Sequence, residues 1–203
     1  MIKVGGLIYD YGAFRALNGV NFELPENEIV ALVGHNGAGK TTLFRCLSGL
    51  LTPTEGYVEI EGERQPWKIK PKIGFLQDFI GVYEELTVKE CLEYFGRSYR
   101  LSPEKIADRI IALSHSLHLK SFLHKKAGNL SRGMKQRLAI AQSIIHEPKL
   151  LLLDEPASGL DPQSRMQLAE LFKSLKAQGI TLLVSSHILS ELDEYADQLL
   201  ILD

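Results

Sequence analysis

The segment Leu150–Pro162, LLLLDEPASGLDP, sets four consecutive leucines directly before two carboxylates, Asp154 and Glu155, and then breaks with a proline. A leucine run without polar alternation asks for burial on both faces, as in a strand of a parallel sheet covered by helices on either side. Carboxylates at the end of such a run are costly unless a cation or a polar ligand compensates them. The pair is either a turn at the surface or the end of a strand that faces a cation. The remainder of the chain decides between these.

Short apolar runs recur along the sequence: EIVALVG (28–34), KIGFLQD (72–78), KLLLLDEP (149–156), ITLLVSSH (180–187) and QLLILD (198–203). Helical periods separate them. TTLFRCLSGL places Leu43, Leu47 and Leu50 on one stripe, and KQRLAIAQSIIHE places Leu138, Ala141 and Ile145 on another. Asp161 reads as an N-cap with Pro162 at the first helical position, and Gly179 falls where that helix stops. Its stripe is Leu168, Leu171, Phe172 and Leu175. Strands alternating with helices predict an α/β core with a mostly parallel sheet.

Two regions depart from this rhythm. Residues 1–27 and the stretch EGYVEIEGE (55–63) alternate polar and apolar positions with glycines at the turns, which predicts an antiparallel β-subdomain. Residues from about 82 to 130 read as helical. Thr87 and Glu90 form a capping-box pattern ahead of Val88, Cys91, Leu92 and Phe95, and Ser102-Pro103 opens a second helix carrying Ile106, Ile110, Leu113 and Leu117. A single domain over 1–203 is expected, with the β-subdomain and core at about 1–81 and 131–203 and an inserted α-helical subdomain at about 82–130.

Composition narrows the function classes. The chain has 203 residues, a formal net charge of -2 and 24% charged residues, so no basic field points to a nucleic-acid partner. No run approaches the ~18 apolar residues that a membrane-spanning helix needs. Cys46 and Cys91 lack the spacing of a metal site and read as packing residues. His115, His118 and His124 do not align on one helical face and read as solvated surface.

The decisive motif is GHNGAGKTT, Gly34 to Thr42, which fits the G-x-x-x-x-G-K-[ST] phosphate loop through Gly34, Gly39, Lys40 and Thr41. Its inner residues are His35, Asn36, Gly37 and Ala38. Glycines let the backbone curl and aim N–H groups at an anion, and the helix that follows adds its positive end. Lys40 is expected on the β- and γ-phosphates, Thr41 on Mg2+ and Thr42 on the α-phosphate. A P-loop NTPase core then explains the carboxylates. Ligands of an open parallel sheet collect beyond the carboxyl ends of its strands. Asp154 would hold Mg2+, and Glu155, pointing elsewhere, would take a proton from the water attacking the γ-phosphate. Gln77 and His187 end two other runs: the amide suits Mg2+ or the attacking water, and the imidazole suits the γ-phosphate.

With these placed, LSRGMKQR (Leu130 to Arg137) resembles the signature motif of the ATP-binding cassette, or ABC, ATPases. The order of the motifs matches that family throughout: phosphate loop, Gln77, helical lobe, signature, Asp154-Glu155, SGLD (158–161), His187. The resemblance implies an ATP-hydrolysing subunit of a transporter with ATP and Mg2+ as cofactors. It implies a homodimer or a paired cassette subunit, integral membrane permease subunits as partners, and a peripheral place on the cytoplasmic face of the cell membrane. Ser131 and Gly133 would contact the γ-phosphate held by the other protomer, Asp161 would lie near the dimer seam, and Tyr11, ahead of Tyr9, would stack on adenine. Gln77 would link the nucleotide to the helical lobe that meets the membrane partner.

Two departures stand out. Arg132 and Met134 replace the second glycine and the glutamine of the commonest signature, LSGGQ, in a form similar to that of bacterial exporters. Family members also usually continue for at least another strand and helix, so the sequence is expected to be shortened at its end. The alternatives are an ABC ATPase acting on DNA or ribosomes and a nucleotide-binding module that does not hydrolyse.

Overall fold

The structure is a computed structural model that describes residues 1–78, 81–186 and 192–203. The chain opens with β1 (Ile2–Tyr11), β2 (Phe14–Leu24) and β3 (Ile29–Val33), followed by α1 (Lys40–Leu47), β4 (Glu55–Ile60), the single-turn α2 (Pro66–Ile69) and β5 (Ile73–Leu76). It continues through α3 (Val88–Ser98), α4 (Pro103–Ser116), α5 (Arg132–Ile144), β6 (Leu150–Leu153), α6 (Pro162–Ala177), β7 (Thr181–Ser185) and β8 (Gln198–Ile201).

All five apolar runs become strands of one sheet, ordered β5-β6-β7-β3-β8 and parallel throughout. The leucine run is β6, second in the order, between β5 and β7. Its four side chains have no exposed surface, and they divide by parity. Leu150 and Leu152 pack with Leu43, Phe44 and Leu47 of α1, whereas Leu151 and Leu153 pack with Leu138 of α5 and Leu168 and Phe172 of α6. A strand covered on both faces can be leucine at every position. Each such burial contributes about 2 kcal/mol.

The alternating regions form the second sheet, β2-β1-β4, antiparallel with Ile2 opposite both Leu24 and Ile60. Its inward residues, Ile2, Val4, Leu7, Leu17, Val58 and Ile60, join the α1 side of the core.

One stripe ends earlier than its period predicts. Leu50 lies outside α1 and is 59% exposed. Gly49, at φ +71°, turns the chain, its N–H donating to the Cys46 carbonyl at 3.1 Å while Leu50 donates to Arg45 at 2.9 Å. This is a Schellman closure, and it swings the next apolar residue off the helix face.

Between β5 and α5 the described chain folds into α3 and α4. Thr87 accepts the Glu90 N–H, and the Glu90 carboxylate accepts the Thr87 N–H at 2.7 Å, which completes the capping box. Ser102 caps α4 through its hydroxyl, which accepts the Lys105 N–H at 3.2 Å. The two helices approach closely at Gly96, where a Cβ would lie 2.7 Å from Ile106 Cγ1. This lobe is fixed to the core at the end of α5. The Arg109 guanidinium donates to the Ile144 and Ile145 carbonyls at 3.0 and 3.2 Å. Tyr99 lies flat on His146 with ring centroids 3.7 Å apart. Burial pushes the His146 imidazole down to about 4, so the stacked ring is neutral at physiological pH.

Thr87→Ala removes one half of the box, with an expected loss of about 1 kcal/mol. A midpoint of thermal unfolding lower by about 2–4 °C checks this. No helix of the described residues is long and apolar enough to cross a membrane.

Candidate nucleotide site

The phosphate loop leaves β3 at Val33 and enters α1 at Lys40, between a buried strand and a helix packed on it. Gly39 sits at φ +97°, and a Cβ there would stand 2.7 Å from the Ala16 carbonyl. The left-handed turn and the close approach both demand glycine. No side chain caps α1 and its first turn carries no acid, so its backbone N–H groups face the loop without a competing anion. Lys40 is buried, and its ammonium donates to the carbonyls of Gly34 at 2.7 Å and His35 at 3.1 Å. An ammonium has three donors, so one remains to be directed at an anion.

The carboxylates stand at the carboxyl end of β6, as the leucine run requires. Asp154 is only 3% exposed. One of its oxygens accepts the Thr41 hydroxyl at 2.9 Å, and the other accepts the Ser185 hydroxyl at 2.7 Å. The Ser185 oxygen in turn accepts the Glu155 N–H at 2.9 Å. Thr41 and Asp154 are thus in contact across 113 residues of chain. A hydroxyl beside a carboxylate is a hard-oxygen pair that fits Mg2+, which takes few protein ligands and completes its shell with phosphate and water. Glu155 adopts φ +48°, a left-handed conformation that costs a non-glycine residue about 1–2 kcal/mol.

A cavity of about 430 Å³ joins these parts and falls in the size range of small-ligand sites. It brings together Asn36, Gly37, Gly39, Lys40, Thr41 and Thr42 with Asp154 and Glu155. Tyr11 and Phe14 stand at its mouth, paired across the end of the β1–β2 hairpin. Both rings are exposed, Phe14 at 64%, and Tyr9 meets Tyr11 edge to face at 4.8 Å. An aromatic face at that place suits a base.

Three further residues are placed differently. Gln77 follows β5 directly but lines a separate groove of about 440 Å³, with Leu50, Lys70 and Tyr99. Ser131 caps α5, accepting the Met134 N–H at 3.4 Å, and Gly133 lies against Ser164. Both belong to a second surface, formed with the SGLD turn, and line no part of the phosphate-loop cavity. There Asp161 accepts the Ser164 hydroxyl and N–H, which hold its carboxyl below the usual range. His187 lies outside the described residues.

Sequence reasoning missed Ser185 and Phe14. Ser185 is fully buried at the end of β7, and the signal was available: a serine pair closing the apolar run ITLLVSS. Ser185→Ala leaves the Glu155 N–H without its acceptor and Asp154 without one donor. We expect a turnover about tenfold lower, measured as phosphate release, with the fold retained.

A parallel sheet with a phosphate loop, a hydroxyl–carboxylate pair and a second carboxylate at its strand ends defines a P-loop nucleotide hydrolase. Residues 17–158 match the ABC transporter family. The chain is 38% identical to the uncharacterized ABC transporter ATP-binding protein YxlF of Bacillus subtilis (strain 168), over all of this chain and 68% of that protein. It is 36% identical to the Nod factor export ATP-binding protein I of Rhizobium johnstonii, over all of this chain and 66% of that protein. Among solved structures it resembles the dimeric ATP-binding cassette MJ0796, in a post-hydrolysis state with ADP and Pi, at a TM-score of 0.86 and 29% identity, covering all of this chain and 94% of that one. The chain belongs to the ABC transporter family, as an ATP-binding subunit with ATPase activity.

Proposed function

We propose that two copies of this chain close head to tail around two MgATP, and that hydrolysis reopens them to drive export through separate membrane permeases. The observation that carries the reading is the linked set Thr41–Asp154–Ser185–Glu155, which joins a metal-holding pair to a proton acceptor at one strand end. In each half, Lys40 and the loop N–H groups grip the phosphates, Thr41 and Asp154 hold Mg2+, and Tyr11 stacks on the adenine. When bound, Mg2+ neutralises charge on the β- and γ-phosphates. Glu155 accepts the proton of the attacking water, with Gln77 and His187 completing the catalytic set.

Ser131 and Gly133 close on the γ-phosphate held by the other copy. Their position on a surface apart from the chain's own phosphate loop supports this assignment. The groove beside Gln77, together with the lobe of residues 82–130, receives the permease at the cytoplasmic face of the membrane. The exposed Leu50, Tyr94 and Tyr99 suit such a contact. Export rests on the form of the signature and on relatives named for export; DNA- or ribosome-acting enzymes have no counterpart among the relatives described above.

The test is phosphate release with ATP and Mg2+ over a range of protein concentration. A specific activity that rises with concentration and vanishes with a chelator is expected. Activity independent of both would contradict the reading.

A further inference from the structure

The departure of the signature from LSGGQ has a physical counterpart. Arg132 is the first residue of α5, where a cation opposes the positive end of the helix dipole, and the first turn holds no acid to offset it. A residue that is locally unfavourable has its gain elsewhere. Its Nη2 donates to the Ser158 carbonyl at 2.6 Å, across 26 residues. Its guanidinium also lies over Gly159, where a Cβ would stand 2.6–2.7 Å from the guanidinium carbon and both terminal nitrogens. A Cβ there would displace the guanidinium, and the left-handed φ of +65° at Gly159 favours glycine.

The turn that Arg132 grips begins at the proposed base: the Ser158 N–H donates to the Glu155 carbonyl at 3.1 Å, and Leu160 closes the next turn on Ala157 at 3.2 Å. One side chain therefore joins two neighbours. On one side are the exposed Ser131 and the half-buried Gly133, and on the other is the segment that leads from Glu155 to Asp161.

We propose that Arg132 is a positioning residue that locks the signature helix to the Glu155–Asp161 turn, so that closure on the partner's nucleotide is felt at the base of the chain's own site. The inference rests on the head-to-tail reading. A guanidinium is suited to this task, because it bonds the carbonyl and covers the glycine together; a lysine can do only the first.

The test compares wild type, Arg132→Ala, Arg132→Lys, Gly159→Ala and the double variant Arg132→Ala/Gly159→Ala. The readouts are turnover, its Hill coefficient in ATP, the ATP dissociation constant of the dilute monomer and the unfolding midpoint. For wild type the Hill coefficient should approach about two, the number of sites. Arg132→Ala is expected to lower turnover about tenfold and the Hill coefficient toward about one, with monomer ATP binding changed less than about twofold. Arg132→Lys recovers part of the loss. Gly159→Ala displaces the guanidinium and also strains the left-handed turn, so it lowers turnover at least as far as Arg132→Ala and lowers the unfolding midpoint as well, and adding Arg132→Ala to Gly159→Ala costs little further turnover, since the contact is already broken.

Wild-type turnover and cooperativity in Arg132→Ala would overturn the inference alone. So would a loss that tracks monomer ATP binding and the unfolding midpoint, because a plain structural clip behaves that way. Absence of cooperativity and of ATP-dependent pairing in the wild type would overturn the head-to-tail reading, and this inference with it.

Discussion

Glu155→Gln is expected to lower ATP turnover by about a thousandfold while ATP affinity stays within about twofold of wild type. The amide has the same length and shape as the carboxylate but cannot take a proton from water. Nothing else in the phosphate grip changes: Lys40, Thr41 and Asp154 are held by the loop carbonyls, by each other and by Ser185. The left-handed backbone at residue 155 is secured by its N–H bond to Ser185 and is common to both side chains. Binding and chemistry should therefore separate cleanly. Phosphate release and equilibrium titration with a fluorescent ATP analogue measure the two, and turnover within tenfold of wild type would remove Glu155 from its role.

Asp154→Ala has the second largest expected effect, and it acts on the metal. Asp154 accepts from both Thr41 and Ser185, so its removal leaves the buried Ser185 hydroxyl without its acceptor, while the exposed Thr41 hydroxyl turns to water. The first costs about 1–3 kcal/mol, and the unfolding midpoint should fall by about 3–8 °C. More telling is the ligand dependence. Wild type should bind ATP much more tightly with Mg2+ than with a chelator. The variant should lose that difference, with about hundredfold weaker binding of MgATP, since a charge-assisted contact of about 3 kcal/mol is gone. Asp154→Asn, which keeps an acceptor for one hydroxyl, separates the two effects by regaining stability without metal dependence. An Asp154→Ala protein with wild-type Mg2+ dependence would contradict the assignment.

Much of the fold was legible because its signals are local. Apolar runs ending in Gly34, Gln77, Asp154 and His187 marked strands, and Thr87, Ser102 and Asp161 marked helix starts through chemistry that acts within four residues. The phosphate loop could be read for the same reason: its work is done by one continuous stretch of backbone. The strand order β5-β6-β7-β3-β8 could not be, since a run of leucines states that it is buried but not which strands flank it. The parity split of Leu150–Leu153 between two helical layers follows only once those layers are known.

Within the site, the misses share a cause. Ser185 matters through bonds to residues about thirty positions away, and the Arg132 contact with Ser158 spans a similar gap. Leu50 was misplaced by one glycine whose positive φ interrupts a perfect helical period. Long-range polar contacts and single-residue turns carry little trace in periodicity, and both concentrate where the fold is put to use.

The central claim is that one copy grips the triphosphate and a second copy closes over it. The most direct measurement is the mass of Glu155→Gln in solution, by light scattering, with and without MgATP. A species of twice the 22.7 kDa chain that forms only with MgATP is the predicted result. A protein that binds MgATP to saturation and keeps the mass of a single chain would contradict it.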